Sequence, residues 1–312
     1  MLKDEQQSQS VNRTTAGPLV SVVIPTHNRA TMLARAIRSV LGQTHPNLEI
    51  IVVDDASADD TANVVKRFTD PRVHYIAHAT NRGGAAARNT GIRAARGEFI
   101  AFLDDDNTWA PDKTMEQLRV ISDYDAVICT CDTMGEGLSN HAENERVRAE
   151  DLRRGDYTFG GTGVFMARAH VLKEIMFDET LPRYQDWDLF IRVALKYSIV
   201  YLNKPLVIAH SDDHLRITNS VLRSPLSGLE QQFRMVHKHR QFFGEKWFRF
   251  HMCRSLLWGV RHRADKLSVI AYAARRYGLS NVGRVLAQRL RDRQSRSSAG
   301  ANGGTGGETL VS

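Results

Sequence analysis

The 312-residue chain has only three cysteines, Cys129, Cys131 and Cys253. That is too few for a disulfide framework or a zinc set, and a reducing compartment is the simplest context. No stretch approaches the ~18 uninterrupted apolar residues of a spanning helix, so the chain is not expected to cross a bilayer. The opening segment MLKDEQQSQSVNRTTAG lacks the apolar core of a secretion signal, and residues 1–18 read as a disordered lead-in. A GxxxxGK[ST] phosphate loop is missing. The cluster Gly160-Gly161-Thr162-Gly163 precedes a strand instead of joining strand to helix, which excludes a dinucleotide fingerprint. No Ser-His or Cys-His arrangement points to an enzyme nucleophile.

Acidic residues are scarce at one end. Residues 234–312 carry 16 Lys and Arg against 4 Asp and Glu, whereas the remainder carries 26 against 31. Such a region suggests an anionic partner. Nucleic acid is not expected, because no recognition helix or aromatic stacking platform accompanies the charge. Segments such as Met252 to Arg261 place Trp and Leu beside Arg, a mixture suited to a helix lying on an anionic membrane surface through residues 234–294. A helical extension packed on the main domain with a solvated basic face accounts for it equally well.

What is present is a series of apolar runs that end in polar clusters. The run Phe99 to Leu103 shows no alternation, as in a strand buried on both faces of a parallel sheet, and it stops at Asp104-Asp105-Asp106-Asn107. Three adjacent aspartates cannot follow it into the core. If the chain stays extended, Asp104 and Asp106 project to one side, offering two hard oxygen ligands suited to Mg²⁺ or Mn²⁺ shared with phosphate. A solvated acidic turn capping the next helix is the other reading.

Upstream, Val20–Ile24, Glu49–Val53 and Val73–Ala77 read as strands, alternating with helices over 30–41, 59–68 and 83–95. This pace implies an α/β fold with a mostly parallel sheet flanked by helices. Thr26-His27-Asn28, Asp54-Asp55, Asn81-Arg82 and the triple acid would then share one sheet edge, where open α/β sheets bind ligands. Further on, helices are expected at 113–121 and 186–195, and strands at 126–130, 164–166, 199–202 and 206–209. Residues 132–156 read as a loop or lid. The chain from 226 to about 290 reads as helical, and the Ser- and Gly-rich tail from Ser295 as disordered. The expected divisions are therefore 1–18, 19–225, 226–294 and 295–312.

The series SVVIPTHNR, IVVDDASADDT, NRGGAAARNTGI, FIAFLDDDN and YQDWDLFIRV, in that order over residues 19 to 215, resembles the family 2 glycosyltransferases, inverting enzymes of the GT-A (Rossmann-like) fold. The resemblance implies that Asp55 with Asp54 binds the nucleotide base, that Pro25, Thr26 and Asn28 line the same pocket, and that Arg82 lies near the base. Asp104 and Asp106 match the motif that holds the ribose and Mg²⁺ or Mn²⁺, and Asp104 and Asp105 count among the nucleotide-sugar-binding residues. His210 and His214 fall where related enzymes place a histidine near the diphosphate or metal. Asp186 matches the general base, with Gln185 in place of the usual glutamate. Ordinary acid placement at a helix N-terminus, favourable by ~0.3–1 kcal/mol, explains Asp188 better. Trp187 either stacks on the acceptor or packs, and Arg88 and Asn89 brace the fold.

The implied activity is transfer of a sugar from a nucleotide-sugar donor, with a lean to UDP, to a glycan or lipid-linked acceptor. The implied location is cytoplasmic, with peripheral association at the inner face of the cell membrane. Two other classes are a GT-A module that binds without turnover and a sugar nucleotidyltransferase. The latter's glycine-rich opening loop has no counterpart in Pro25-Thr26-His27-Asn28-Arg29.

Overall fold

A computed structural model describes residues 17–132, 142, 144–155, 160–210, 222 and 224–301, with side chains through 290. Nine strands form one sheet in the order β3-β2-β1-β4-β8-β6-β9-β5, with β7 pairing to β9. They are β1 (Val20–Thr26), β2 (Leu48–Asp54), β3 (Val73–Ala77), β4 (Phe99–Phe102), β5 (Asn107–Trp109), β6 (Ala126–Asp132), β7 (Glu145–Val147), β8 (Phe165–Arg168) and β9 (Ile199–Ala209). Six strands share one direction, and β5, β7 and β8 run against it. Every residue of β1, β2 and β4 is buried, as their unbroken apolar runs require of strands covered on both faces.

The helices α1 (Ala30–Leu41), α2 (Thr61–Lys66) and α3 (Gly84–Ala94) alternate with these strands. Leu33, Ala36, Ile37 and Val40 face inward from α1, the stripe its 3.6-residue periodicity predicts. Helix α3 sits close to β1 because Gly91 has no side chain. A Cβ there would lie 2.3 Å from Val23 Cγ1, well inside contact distance.

Three segments depart from the sequence reading. The acid cluster feeds β5, a strand too short to carry a pattern of its own, which pairs antiparallel with β9. Expected as two strands split by Pro205, β9 is one, with register shifts opposite Cys129 to Cys131. An irregular stretch tolerates a proline that cannot donate to the ladder. Within the expected loop or lid, 145–147 form β7 and Ala149–Arg154 form α5, closed by Gly155 at φ 74°. Next come α4 (Lys113–Val120), which precedes β6 in the chain, then α6 (Ala169–Ile175) and α7 (Gln185–Ala194).

After 225 come α8 (Leu226–Leu229), α9 (Arg234–Lys238), α10 (Arg240–Leu257), α11 (Lys266–Tyr277) and α12 (Leu279–Ala301). The last continues past Ser295, where the sequence suggested loss of structure. Phe233, Phe243, Phe248, Met252, Leu256 and Val269 join the same hydrophobic cluster as β1 and β4. The 252–261 segment, read as a membrane-lying mixture, therefore turns its Met252, Cys253, Leu256 and Leu257 inward. Among the described residues, no helix is long and apolar enough to cross a membrane.

Candidate active site

Parallel pairing aligns the ends of β1, β2 and β3: Thr26 pairs with Asp54 and Asp54 with Ala77. Asp55 N–H donates to Thr26 O at 2.9 Å, and Leu103 N–H to Val23 O at 3.0 Å, which brings the triple acid to the same edge. Pro25 and Thr26 are buried at the end of β1.

The carboxylates after β2 are committed to shaping loops. Asp54 accepts from Ser57 N–H at 2.8 Å and from Tyr75 Oη–H at 2.5 Å. Asp55 accepts from Arg82 N–H (2.8 Å), Gly83 N–H (2.6 Å) and His78 Nδ1–H (2.7 Å). Burial alone would raise the Asp55 pKa, but these donors hold it below the usual carboxylate range. Gly83 presents its N–H from φ 87°, a conformation that favours glycine. Asn28 locks the neighbouring loop, taking Ala58 N–H on its Oδ1 at 2.7 Å. Arg82 directs its guanidinium outward to Glu179 at 3.3 Å.

At the acid tip the extended geometry does not persist. The chain turns, with Asn107 N–H donating to Asp104 O at 3.0 Å, and the carboxylates part company. Asp105 and Asp106 share Arg29 Nη1, at 2.8 and 3.4 Å. Asp104 accepts instead from Arg88 Nη2 at 2.6 Å and Thr162 Oγ1–H at 3.0 Å. Gly161 passes so close that a Cβ would sit 3.4 Å from Asp104 Oδ2. Burial raises the Asp105 pKa, against the pull of Arg29.

Among the described residues, no three His, Cys, Asp or Glu side chains gather as a ready metal cage. The oxygen-only donors of the tip still suit Mg²⁺ or Mn²⁺, which take one or two carboxylates and complete their shell with phosphate and water. His210 Nε2 lies 2.9 Å from Thr108 Oγ1, two residues past Asp106. His214 falls outside the described residues.

Asp186 stands in the first turn of α7, and its Oδ1 accepts from Trp187 N–H at 2.9 Å. Burial raises its pKa; Arg88 opposes the shift and Asp104 adds to it. Both charges act on Asp186 because one Arg88 guanidinium meets Asp104 and the residue before Asp186. Its Nη2 donates to Asp104, and its Nη1 reaches Gln185 Oε1 at 3.4 Å. The sequence suggested only a bracing role for Arg88. What it hid is a contact between residues 97 apart in the chain.

Behind Asp186, the fully buried Asp188 is gripped by Arg192 Nε (2.8 Å), His239 Nε2 (2.7 Å) and Lys238 Nζ (2.6 Å). Trp187 packs edge-on against His251, with ring centroids 4.9 Å apart, and tilts against Phe243 at 5.5 Å. Trp187 therefore packs instead of presenting a free face to an acceptor. A cavity of about 610 Å³ lined by Asp178, Thr180, Glu230, Arg234 and Lys238 opens behind this grip and includes neither Asp104 nor Asp186.

A mostly parallel sheet that gathers acids at one edge, flanked by helices, has the GT-A fold of known glycosyltransferases. The sequence model described as Glycosyl transferase family 2 matches residues 21–181, and the chain belongs to that family. The succinoglycan biosynthesis protein ExoO of Rhizobium meliloti is 32% identical over 261 residues, covering 73% of this chain and 74% of ExoO. The UDP-Glc:alpha-D-GlcNAc-diphosphoundecaprenol beta-1,3-glucosyltransferase WfgD of Escherichia coli is 40% identical over 103 residues, 33% of this chain and 41% of WfgD. The mannosyltransferase PcManGT from Pyrobaculum calidifontis, solved with GDP-Man and Mn²⁺, shares the fold at a TM-score of 0.58 and 19% identity. That match covers 91% of this chain and 84% of PcManGT. The protein is thus a glycosyltransferase, with relatives in polysaccharide biosynthesis.

Proposed function

We propose that the protein transfers a sugar, with inversion, from a UDP-sugar to a hydroxyl of a lipid-linked or free glycan acceptor, with Asp186 as the general base. The observation that supports this reading is that one Arg88 guanidinium meets both Asp104 and Gln185, the residue before Asp186. The acceptor oxygen attacks the anomeric carbon as the bond to the nucleoside diphosphate breaks, and its proton passes to the Asp186 carboxylate. One displacement inverts the centre without an enzyme nucleophile. A raised pKa makes Asp186 the stronger base. Gln185 is neutral, so it accepts from Arg88 without competing with Asp104 as a glutamate would.

Asp104 and Asp106 would hold Mg²⁺ or Mn²⁺, which when bound offsets charge growing on the diphosphate. The Mn²⁺ bound to PcManGT supports this assignment. His210 and His214 extend it as further candidates near the diphosphate. Pro25, Thr26, Asn28, Asp54, Asp55 and Arg82 would form the base pocket, Asp54, Asp55 and Asn28 acting through the loops they brace. Asp104 would also meet the ribose, and Asp105 would belong to the nucleotide-sugar site through Arg29, which it holds. The WfgD name supports both a UDP donor and an acceptor carried on a polyprenyl diphosphate. Such an acceptor suits action at the inner face of the cell membrane.

The test is nucleotide release from UDP-sugars, with GDP-sugars as comparison, with Mn²⁺ or EDTA, for the wild type and Asp186→Asn. The variant should keep donor binding in a thermal shift and lose turnover by at least ~100-fold, the contribution of a positioned base. Unchanged turnover would overturn the assignment. Tight binding without release would mark a binding module, and pyrophosphate exchange a nucleotidyltransferase.

A further inference from the structure

Seven large hydrophobic side chains stand exposed among the described residues, and three of them, Leu279 (77%), Leu286 (38%) and Leu290 (62%), belong to α12. Spacings of seven and four residues put them on one face of a helix, within about 40° of each other. The same helix buries Val282 and Val285 and anchors through Arg289, which donates to Leu257 O at 2.7 Å. Helix α12 thus has a core-facing side and a second apolar side lying outward. Its neighbour α11 ends in the exposed cations Arg275 and Arg276, four and three residues before Leu279. Between Arg261 and Leu290 there are seven Lys and Arg and one acid, Asp265, already paired with Arg263 at 2.7 Å.

We propose that this face of α12, bordered by Arg275 and Arg276 at the end of α11, docks on the anionic headgroups of a lipid bilayer. The two kinds of residue call for one partner. Leucines enter the boundary between headgroups and acyl chains, while arginines meet lipid phosphates a few ångströms above. A second copy of this chain would satisfy the leucines but bring two cationic surfaces together. The surface fits the lipid-linked acceptor of the proposed function, yet it stands on exposure and charge alone and does not rest on that reading.

Flotation of the full chain with phosphatidylcholine vesicles, with and without phosphatidylglycerol, tests the proposal. The wild type should float with the anionic vesicles and stay behind with the neutral ones. The triple variant Leu279→Ser/Leu286→Ser/Leu290→Ser and the pair Arg275→Glu/Arg276→Glu should each weaken binding at least tenfold. These positions are exposed, so both variants should keep the wild-type melting temperature and nucleotide release in solution, which separates failure here from failure of the catalytic reading. A wild type that ignores anionic vesicles, or a triple variant that binds like it, overturns the proposal. So does light scattering that finds a wild-type dimer made monomeric by the leucine changes, which would make the face a self-interface.

Discussion

Asp188 ties the base-bearing helix to the C-terminal helices, and its removal is the sharpest probe of that architecture. The carboxylate is fully buried and meets three basic side chains, Arg192, His239 and Lys238. Breaking a buried charge pair costs roughly 3–5 kcal/mol, because the partners stay desolvated. Here two of the partners keep a fallback. Lys238 retains Asp178 at 2.6 Å, and Arg192 retains the carbonyls of Ile175 and Met176. The low end, about 3 kcal/mol, is therefore expected for Asp188→Ala. At roughly 2 °C per kcal/mol for a chain of this length, the melting temperature should fall by about 6 °C.

The pH dependence adds a second check on Asp188. Burial pushes its pKa up, but His239, Lys238 and Arg192 together hold it below the usual range. Its contribution to stability is thus fully present above the unfolded value near pH ~3.9 and lost as pH falls through the depressed folded one. Urea melts of wild type and Asp188→Asn should differ most at pH 7 and converge below about pH 4. Because Asp186 sits one half-turn away, kcat should fall with little change in donor KM. A loss under about 1 kcal/mol for Asp188→Ala at pH 7 would refute the reasoning, since an exposed ion pair would account for it.

Arg88→Gln removes the charge that opposes the upward shift of Asp186. The acid limb of the kcat profile should move to higher pH, with turnover down about 10- to 100-fold, as for loss of a charged hydrogen bond; an unmoved limb contradicts the bridge. His251, buried among aromatic rings with Nε2 at 2.8 Å from Arg153 O and Nδ1 unpartnered, has its pKa pushed down to about 4 by burial. Its unfolded form binds a proton first, so stability should drop by roughly 3 kcal/mol between pH ~6.5 and ~4. Urea melts of His251→Gln, which lacks that slope, provide the comparison.

Much of the fold is legible because its signals are local. The stripe Leu33, Ile37, Val40 marks α1 to its exact ends, and the unbroken runs of β1, β2 and β4 announce strands covered on both faces. The order of acids after those runs, with Asp186 downstream, points to the chemistry before any geometry is known. Other features leave no local trace. Three residues cannot display a period, so β5 is invisible, and 145–154 carry too many charges to look ordered until β9 and α10 cover them.

Sequence alone determined the class of fold, the strands that deliver acids to one edge and the basic character of the C-terminal helices, because periodicity and composition act within a few residues. Only tertiary structure decided which acid meets which cation. Asp104 meets Arg88 while Asp105 and Asp106 meet Arg29, Asp55 braces a loop, and Asp188 clasps helices fifty residues further on. A buried charge takes its partner from whatever chain folds against it, and distance along the sequence does not enter that choice.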